Sequence, residues 1–117
     1  MNYRSKLEKR IADLLKDLGI TYEYETHKIA YQIQHNYIPD FILPNGIILE
    51  AKGYWDPEDR RKVKAVKEQN PEIDLRMVFQ DPYNKINKGS KTTYAKWCEK
   101  HGIKWCSFHT IPIDWLV

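Results

Sequence analysis

A proline–aspartate pair and a Glu-x-Lys triplet stand at the two ends of residues 39–53, Pro-Asp-Phe-Ile-Leu-Pro-Asn-Gly-Ile-Ile-Leu-Glu-Ala-Lys-Gly, and no other stretch constrains the chain as much. Phe41-Ile42-Leu43 and Ile47-Ile48-Leu49 are apolar, branched-rich runs that suit strands, with Pro44-Asn45-Gly46 as the turn between them. Pro44 fits the second position of a type I turn, and Gly46 fits the left-handed residue that closes a three-residue hairpin loop. Such a loop sets the register: Leu43 faces Ile47, Ile42 faces Ile48, Phe41 faces Leu49, and Asp40 lies across from Glu50.

Side chains alternate along a strand, so Glu50 and Lys52 point to one face and Ala51 to the other. Two close carboxylates raise each other's pKa unless a cation stands between them. A hard divalent ion that takes carboxylate and carbonyl oxygens, Mg²⁺ above all, is the natural candidate. Pro-Asp followed about ten residues later by E-x-K on a strand is the pattern of the PD-(D/E)XK nucleases. The same residues also fit a half-exposed hairpin in which Lys52 is salt-bridged to Asp40 or Glu50.

A chain of 117 residues is long enough for one domain with its own core, expected over residues 1–117. Its net charge of +3, with 30% charged residues, permits nucleic-acid binding without demanding it. Cys98 and Cys106 lack CxxC spacing and a histidine pattern, which points to free thiols and away from zinc. No apolar run reaches membrane-spanning length and Met-Asn-Tyr-Arg-Ser is no signal peptide, so the expectation is an intracellular protein without a membrane partner.

Leu7, Ile11, Leu14, Leu15 and Leu18 predict a helix over 6–18, ended by Gly19. Ser5 and Glu8 form a capping box, the reading that the residues alone favour for Glu8, although it also borders the apolar face and could reach inward to a metal site. Residues 20–26 alternate as a strand, with Ile20, Tyr22 and Tyr24 on one side and Thr21, Glu23 and Glu25 on the other. Residues 27–38 read as extended, and Pro39 holds Ile38 extended before Asp40.

Asp56-Pro57-Glu58-Asp59 opens a helix that runs to about Gln69. Its apolar stripe is thin, and Arg60, Arg61, Lys62, Lys64 and Lys67 crowd the rest; Arg60, Lys64 and Lys67 share a face that suits either a phosphate backbone or plain solvent. Leu75–Phe79 is a strand, and strand–helix–strand order predicts a right-handed crossover that makes it parallel to the strand of Glu50. Asn87-Lys88-Gly89-Ser90-Lys91 makes a basic loop, Ser90 or Thr92 caps a helix to about Lys100, and Ile103–Phe108 forms a last strand. Tyr94, Trp97, Trp105 and Trp115 read as core aromatics. The order α, β, β-hairpin, α, β, α, β predicts an α/β fold with a mixed sheet flanked by helices.

Taken together, Ser5…Leu7-Glu8, Tyr37-Ile38-Pro39-Asp40-Phe41-Ile42-Leu43-Pro44-Asn45-Gly46, Glu50-Ala51-Lys52-Gly53-Tyr54-Trp55, Asp59-Arg60-Arg61-Lys62 and Lys100-His101-Gly102-Ile103-Lys104 resemble the endonuclease I family of T-odd podoviruses. These are Holliday-junction-resolving members of the PD-(D/E)XK superfamily, with its restriction-endonuclease-like fold. The resemblance runs from about Arg4 to Trp115. It implies a metal-dependent endonuclease that cuts four-way and other branched DNA in paired steps, leaving 5′-phosphate and 3′-hydroxyl ends. It also implies that Glu8, Asp40, Glu50 and Lys52 form the active site, which reverses the preference for Glu8 as a mere cap. Asp40, Glu50 and the Ala51 carbonyl would hold Mg²⁺, for which Mn²⁺ can substitute, and Glu8 would serve a second ion or act through water. Arg60, Arg61, Lys64, Lys67, Lys88 and Lys91 are the candidate DNA contacts.

The family is a homodimer that exchanges elements, so that the helix glutamate of one chain joins the other three residues of its partner. Here the bridging segment Tyr31–Tyr37 looks shorter than the family's, which leaves an exchange around 31–39 open. The family's flexible N-terminal lead and basic C-terminal tail fall outside this sequence, and the expectation is fewer phosphate contacts and weaker binding at physiological salt. Two rivals stand beside this reading: another PD-(D/E)XK nickase of homing or transposon-end type, and a non-catalytic DNA-binding domain. The presence of all four candidate residues weighs against the second.

Overall fold

Ser5 starts the first helix, as its pattern predicts. In the computed structural model, which describes residues 2–31 and 35–117, helix α1 (Lys6–Asp17) begins where the Glu8 amide donates to Ser5 Oγ at 3.1 Å. Gly19, at φ 68°, turns the chain away after it. Leu7, Ile11, Ala12 and Leu15 form the buried face. Complete burial of Ile11 and Leu15 stabilises the helix against the sheet by about 1.5–3 kcal/mol each.

The expected strand over 20–26 shrinks to β1 (Glu23–Tyr24), because its neighbour offers only two residues to pair with and Glu25, at φ 54°, bends the chain out of the ladder. Ile20, Tyr22 and Tyr24 still pack inward, so the alternation survives where the ladder does not. Within residues 27–38, β2 (Ile29–Tyr31) and β3 (His35–Tyr37) pair antiparallel as a separate two-stranded sheet. Residues 32–34, at the centre of the expected exchange, lie outside the described residues.

The hairpin has the register its loop predicts. In β4 (Phe41–Ile42) and β5 (Ile47–Lys52), Phe41 pairs with Leu49 and Ile42 with Ile48. The Leu43 amide donates to the Ile47 carbonyl at 2.9 Å, and Gly46 sits at φ 89°. Helix α2 (Pro57–Gln69), N-capped by Asp56, carries the chain to β6 (Asp74–Phe79), which lies parallel to β5.

Helix α3 (Tyr94–Lys100) is capped by Thr93, whose hydroxyl accepts the Lys96 amide, and not by Ser90 or Thr92. Ser90 Oγ is used one turn earlier, accepting the Thr92 amide. Strand β7 (Lys104–Ser107) pairs parallel with β6, and α4 (Ile113–Leu116) closes the chain, its Trp115 carbonyl accepting from Asn45 Nδ2 at 3.0 Å.

The larger sheet runs β1-β4-β5-β6-β7. Ile47, Leu49 and Ala51 of β5 face α1 and the tail, whereas Ile48 faces the core built with Val63 and Val66 of α2 and Tyr94 and Cys98 of α3. Burial on both faces explains why β5 is nearly all apolar until Glu50. Cys98 and Cys106 are free and buried, and burial pushes both thiols up to about 12. No helix among the described residues is long and apolar enough to cross a membrane.

Candidate active site

The turn at Pro44-Asn45-Gly46 delivers Asp40 and Glu50 to one place. Glu50 shares the Ile48 face of β5, and Asp40 precedes β4 directly opposite. The Asp40 amide donates to Glu50 Oε1 at 3.1 Å, and the Ala51 amide donates to Asp40 Oδ2 at 2.9 Å. Both side chains are buried, at 5% exposure each.

That burial, together with the neighbouring Glu50 charge, pushes Asp40 up to about 9, although the Ala51 amide opposes the shift. Glu50 is raised as well, mainly by burial, against the pull of Lys52, of the nearby Tyr37 hydroxyl and of the Asp40 amide that donates to it. Two buried carboxylates that resist ionisation side by side are what a divalent cation relieves. Their oxygens suit a hard ion such as Mg²⁺.

Both carboxylates line a cavity of about 420 Å³ together with Glu8, Lys52 and Asp59. Glu8 caps the helix and also reaches inward. Its amide completes the helix cap, while its buried carboxylate accepts from Ser5 Oγ at 3.3 Å and from the Tyr24 hydroxyl. The four predicted residues Glu8, Asp40, Glu50 and Lys52 line this cavity together.

Lys52 is not salt-bridged to Asp40 or Glu50. Its Nζ donates to Asp59 Oδ2 at 3.2 Å. Burial pulls the Lys52 ammonium down, but Glu50, Asp59 and Asp40 outweigh it and leave its pKa raised.

Sequence reasoning missed several members of the site. Glu25 was assigned to the outer face of its strand, yet its carboxylate clusters with those of Glu8 and Asp40 within 4.8 Å. The positive φ at Glu25 ends the strand, so the alternation no longer governs that side chain. Its partner Arg4, at 3.4 Å, lines the cavity, as does Lys62 on the inner side of α2. Tyr37 also lines it. Its buried hydroxyl is directed at Glu50 without reaching good hydrogen-bond geometry, and burial and the two carboxylates drive its pKa well up. A tyrosine three residues before the aspartate was the only available sign.

One candidate DNA contact is overturned. Arg60 is 6% exposed, and its Nη1 donates to the carbonyls of Trp55 at 2.7 Å and Ile86 at 3.0 Å, so it ties α2 to the residues before it and to the segment between β6 and α3. The charge run concealed this, because one position of the run faces the core alongside Val63. Arg61, Lys64, Lys88 and Lys91 are exposed and Lys67 is half-buried; none of them lines the cavity.

The family model "Phage endonuclease I" matches residues 1–117. Endonuclease I of Escherichia phage T7 is 46% identical over 117 residues, which covers 97% of this chain and 78% of that protein. Endodeoxyribonuclease 1 of Enterobacteria phage T3 is 49% identical over 104 residues, covering 86% of this chain and 68% of that protein. With a mixed sheet flanked by helices, an Asp40–Glu50 pair at its hairpin and a match along its whole length, the chain belongs to the phage endonuclease I family.

Proposed function

We propose that the chain is a divalent-metal-dependent endodeoxyribonuclease that cuts four-way and other branched DNA junctions in paired steps, working as a homodimer in the host-cell cytoplasm. The observation that carries this reading is the buried Asp40–Glu50 pair, two carboxylates of raised pKa with Lys52 beside them in one cavity. Asp40, Glu50 and the Ala51 carbonyl would hold a first ion, with Glu8 serving a second or orienting water; Mg²⁺ or Mn²⁺ suits these oxygen donors. Such an ion, when bound, acts as a Lewis acid toward the phosphoryl oxygens and acidifies water.

Lys52 then orients the attacking water and offsets charge that develops on the phosphoryl group. The water oxygen bonds to phosphorus as the P–O3′ bond breaks; the attacking water gives up a proton to bulk solvent and the leaving oxygen takes one from solvent, giving a 5′-phosphate and a 3′-hydroxyl. Arg4 and Lys62 at the cavity, with Arg61, Lys64, Lys67, Lys88 and Lys91 farther out, supply phosphate contacts that read shape and not base edges. Two such sites related by a two-fold axis suit a junction whose strands can be cut symmetrically.

The test is cleavage of a labelled four-way junction and a matched linear duplex in Mg²⁺, with Glu50→Ala as control. Paired cuts near the branch point that vanish in the variant are expected. Equal cutting of both substrates would remove junction selectivity, and tight binding without cleavage in Mg²⁺ or Mn²⁺ would leave a DNA-binding module.

A further inference from the structure

Lys52 lines one cavity with the carboxylates of Asp40, Glu50 and Asp59, and its ammonium contacts Asp59 at 3.2 Å. Among the described residues Lys52 pairs with Asp59 and with neither of the other two.

This choice of partner is not the default. An ammonium on the same face as two buried carboxylates satisfies them much as a metal ion does, by placing positive charge between them. An ammonium seated there would occupy the ground that the ion needs. Asp59 removes that conflict because it is a fixed anchor. It is the third residue of α2, and its own amide donates to Asp56 Oδ1 at 2.7 Å in the helix cap. Its second oxygen, Oδ1, faces the Lys62 ammonium at 4.0 Å, so one carboxylate holds two of the cavity's cations at its edge.

We propose that Asp59 is a positioning residue that draws the Lys52 ammonium out of the Asp40–Glu50 pair, keeping their oxygens open to a divalent ion and leaving Lys52 at the cavity edge, where it can meet water and phosphate. The inference rests on the metal site of the proposed function. It assigns to the start of α2 a task beyond helix capping: preventing the enzyme's own lysine from competing with its metal.

The test is calorimetric titration of Mn²⁺ into the DNA-free full-length protein, comparing wild type with Glu50→Gln, Asp59→Asn, Lys52→Ala and the double variant Asp59→Asn/Lys52→Ala. Asp59→Asn is expected to weaken Mn²⁺ binding about tenfold, the range typical of groups that orient metal ligands. Removing the competitor should then restore it: the double variant is expected to bind within about twofold of Lys52→Ala alone, a strong non-additivity that a loss of helix stability cannot produce. Asp59→Ser should repeat the pattern, and melting curves confirm that each variant is folded. Binding by Asp59→Asn within about twofold of wild type, or equally weak binding by the single and double variants, overturns the inference. If wild type and Glu50→Gln bind Mn²⁺ alike, the metal site itself fails and the inference goes with it.

Discussion

Asp40 and Glu50 are fastened through each other's strands: the Asp40 amide donates to Glu50 Oε1 at 3.1 Å, and Asp40 Oδ2 accepts the amide of Ala51, next to Glu50, at 2.9 Å. Each carboxylate is thus oriented by backbone that cannot rotate away. The arrangement holds the two carboxylates in place at the cost of mutual repulsion in a buried site.

That cost is visible as a pH dependence. Asp40 lies at about 9 in the fold against an ordinary 3.8, so over that range the folded chain keeps a proton that the unfolded chain has lost. Binding more protons when folded means that stability falls as pH rises, and Glu50, also raised, adds to the slope. Melting temperatures in EDTA should therefore drop between about pH 4 and pH 9. Asp40→Asn should flatten the curve and melt higher than wild type at pH 8, by on the order of 4 °C for each kcal/mol of repulsion relieved.

Metal should reverse the effect. If Mg²⁺ binds the Asp40–Glu50 pair, at about a hundred times its dissociation constant it should stabilise the fold by about 2.7 kcal/mol through mass action, and chelation should remove that gain. Thermal melts with and without EDTA read it directly. Glu50→Gln should show no Mg²⁺-dependent shift.

Tyr37→Phe removes one hydroxyl from the cavity wall. Because that buried hydroxyl lacks a well-formed hydrogen bond, its loss should leave the melting temperature nearly unchanged. Since it is directed at Glu50, single-turnover cleavage is expected to slow about tenfold with junction affinity unaltered. A gel-shift and a quenched time course on the same junction separate the two.

Arg60 and Arg61 are neighbours in opposite environments, one buried and one exposed. Arg60→Ala strands the Trp55 and Ile86 carbonyls and should cost about 2–4 kcal/mol in urea unfolding. Arg61→Ala, on the exposed side of α2, should change stability by less than about 0.5 kcal/mol and weaken junction binding in a salt-dependent way.

The hairpin was legible because its causes are local. A three-residue loop with Gly46 at positive φ sets the pairing of Phe41 with Leu49, and that pairing alone puts Asp40 beside Glu50. Helices α1 and α2 were legible for the same reason, through caps at Ser5 and Asp56 and apolar faces at helical spacing. The cap of α3 was not legible: Ser90 and Thr92 have the chemistry of a cap, but Thr93 fills the position, and hydroxyl residues this close in sequence compete for the same backbone amides.

The amino-acid order by itself therefore determined the paired carboxylates, the lysine two residues on, and the helices that flank the sheet, each fixed by neighbours close along the chain. Packing across the chain decided the rest. Lys52 turned to Asp59 because α2 packs against the Ile48 face of β5, Arg60 went inward because the carbonyl of Ile86, 26 residues on, joins that of Trp55 beside it, and Glu25 reached Glu8 and Asp40 because the chain bends at the end of β1. A charged side chain's partner depends on which groups three-dimensional packing brings within a few ångströms, and a pattern of spacings along the chain holds no record of that distance.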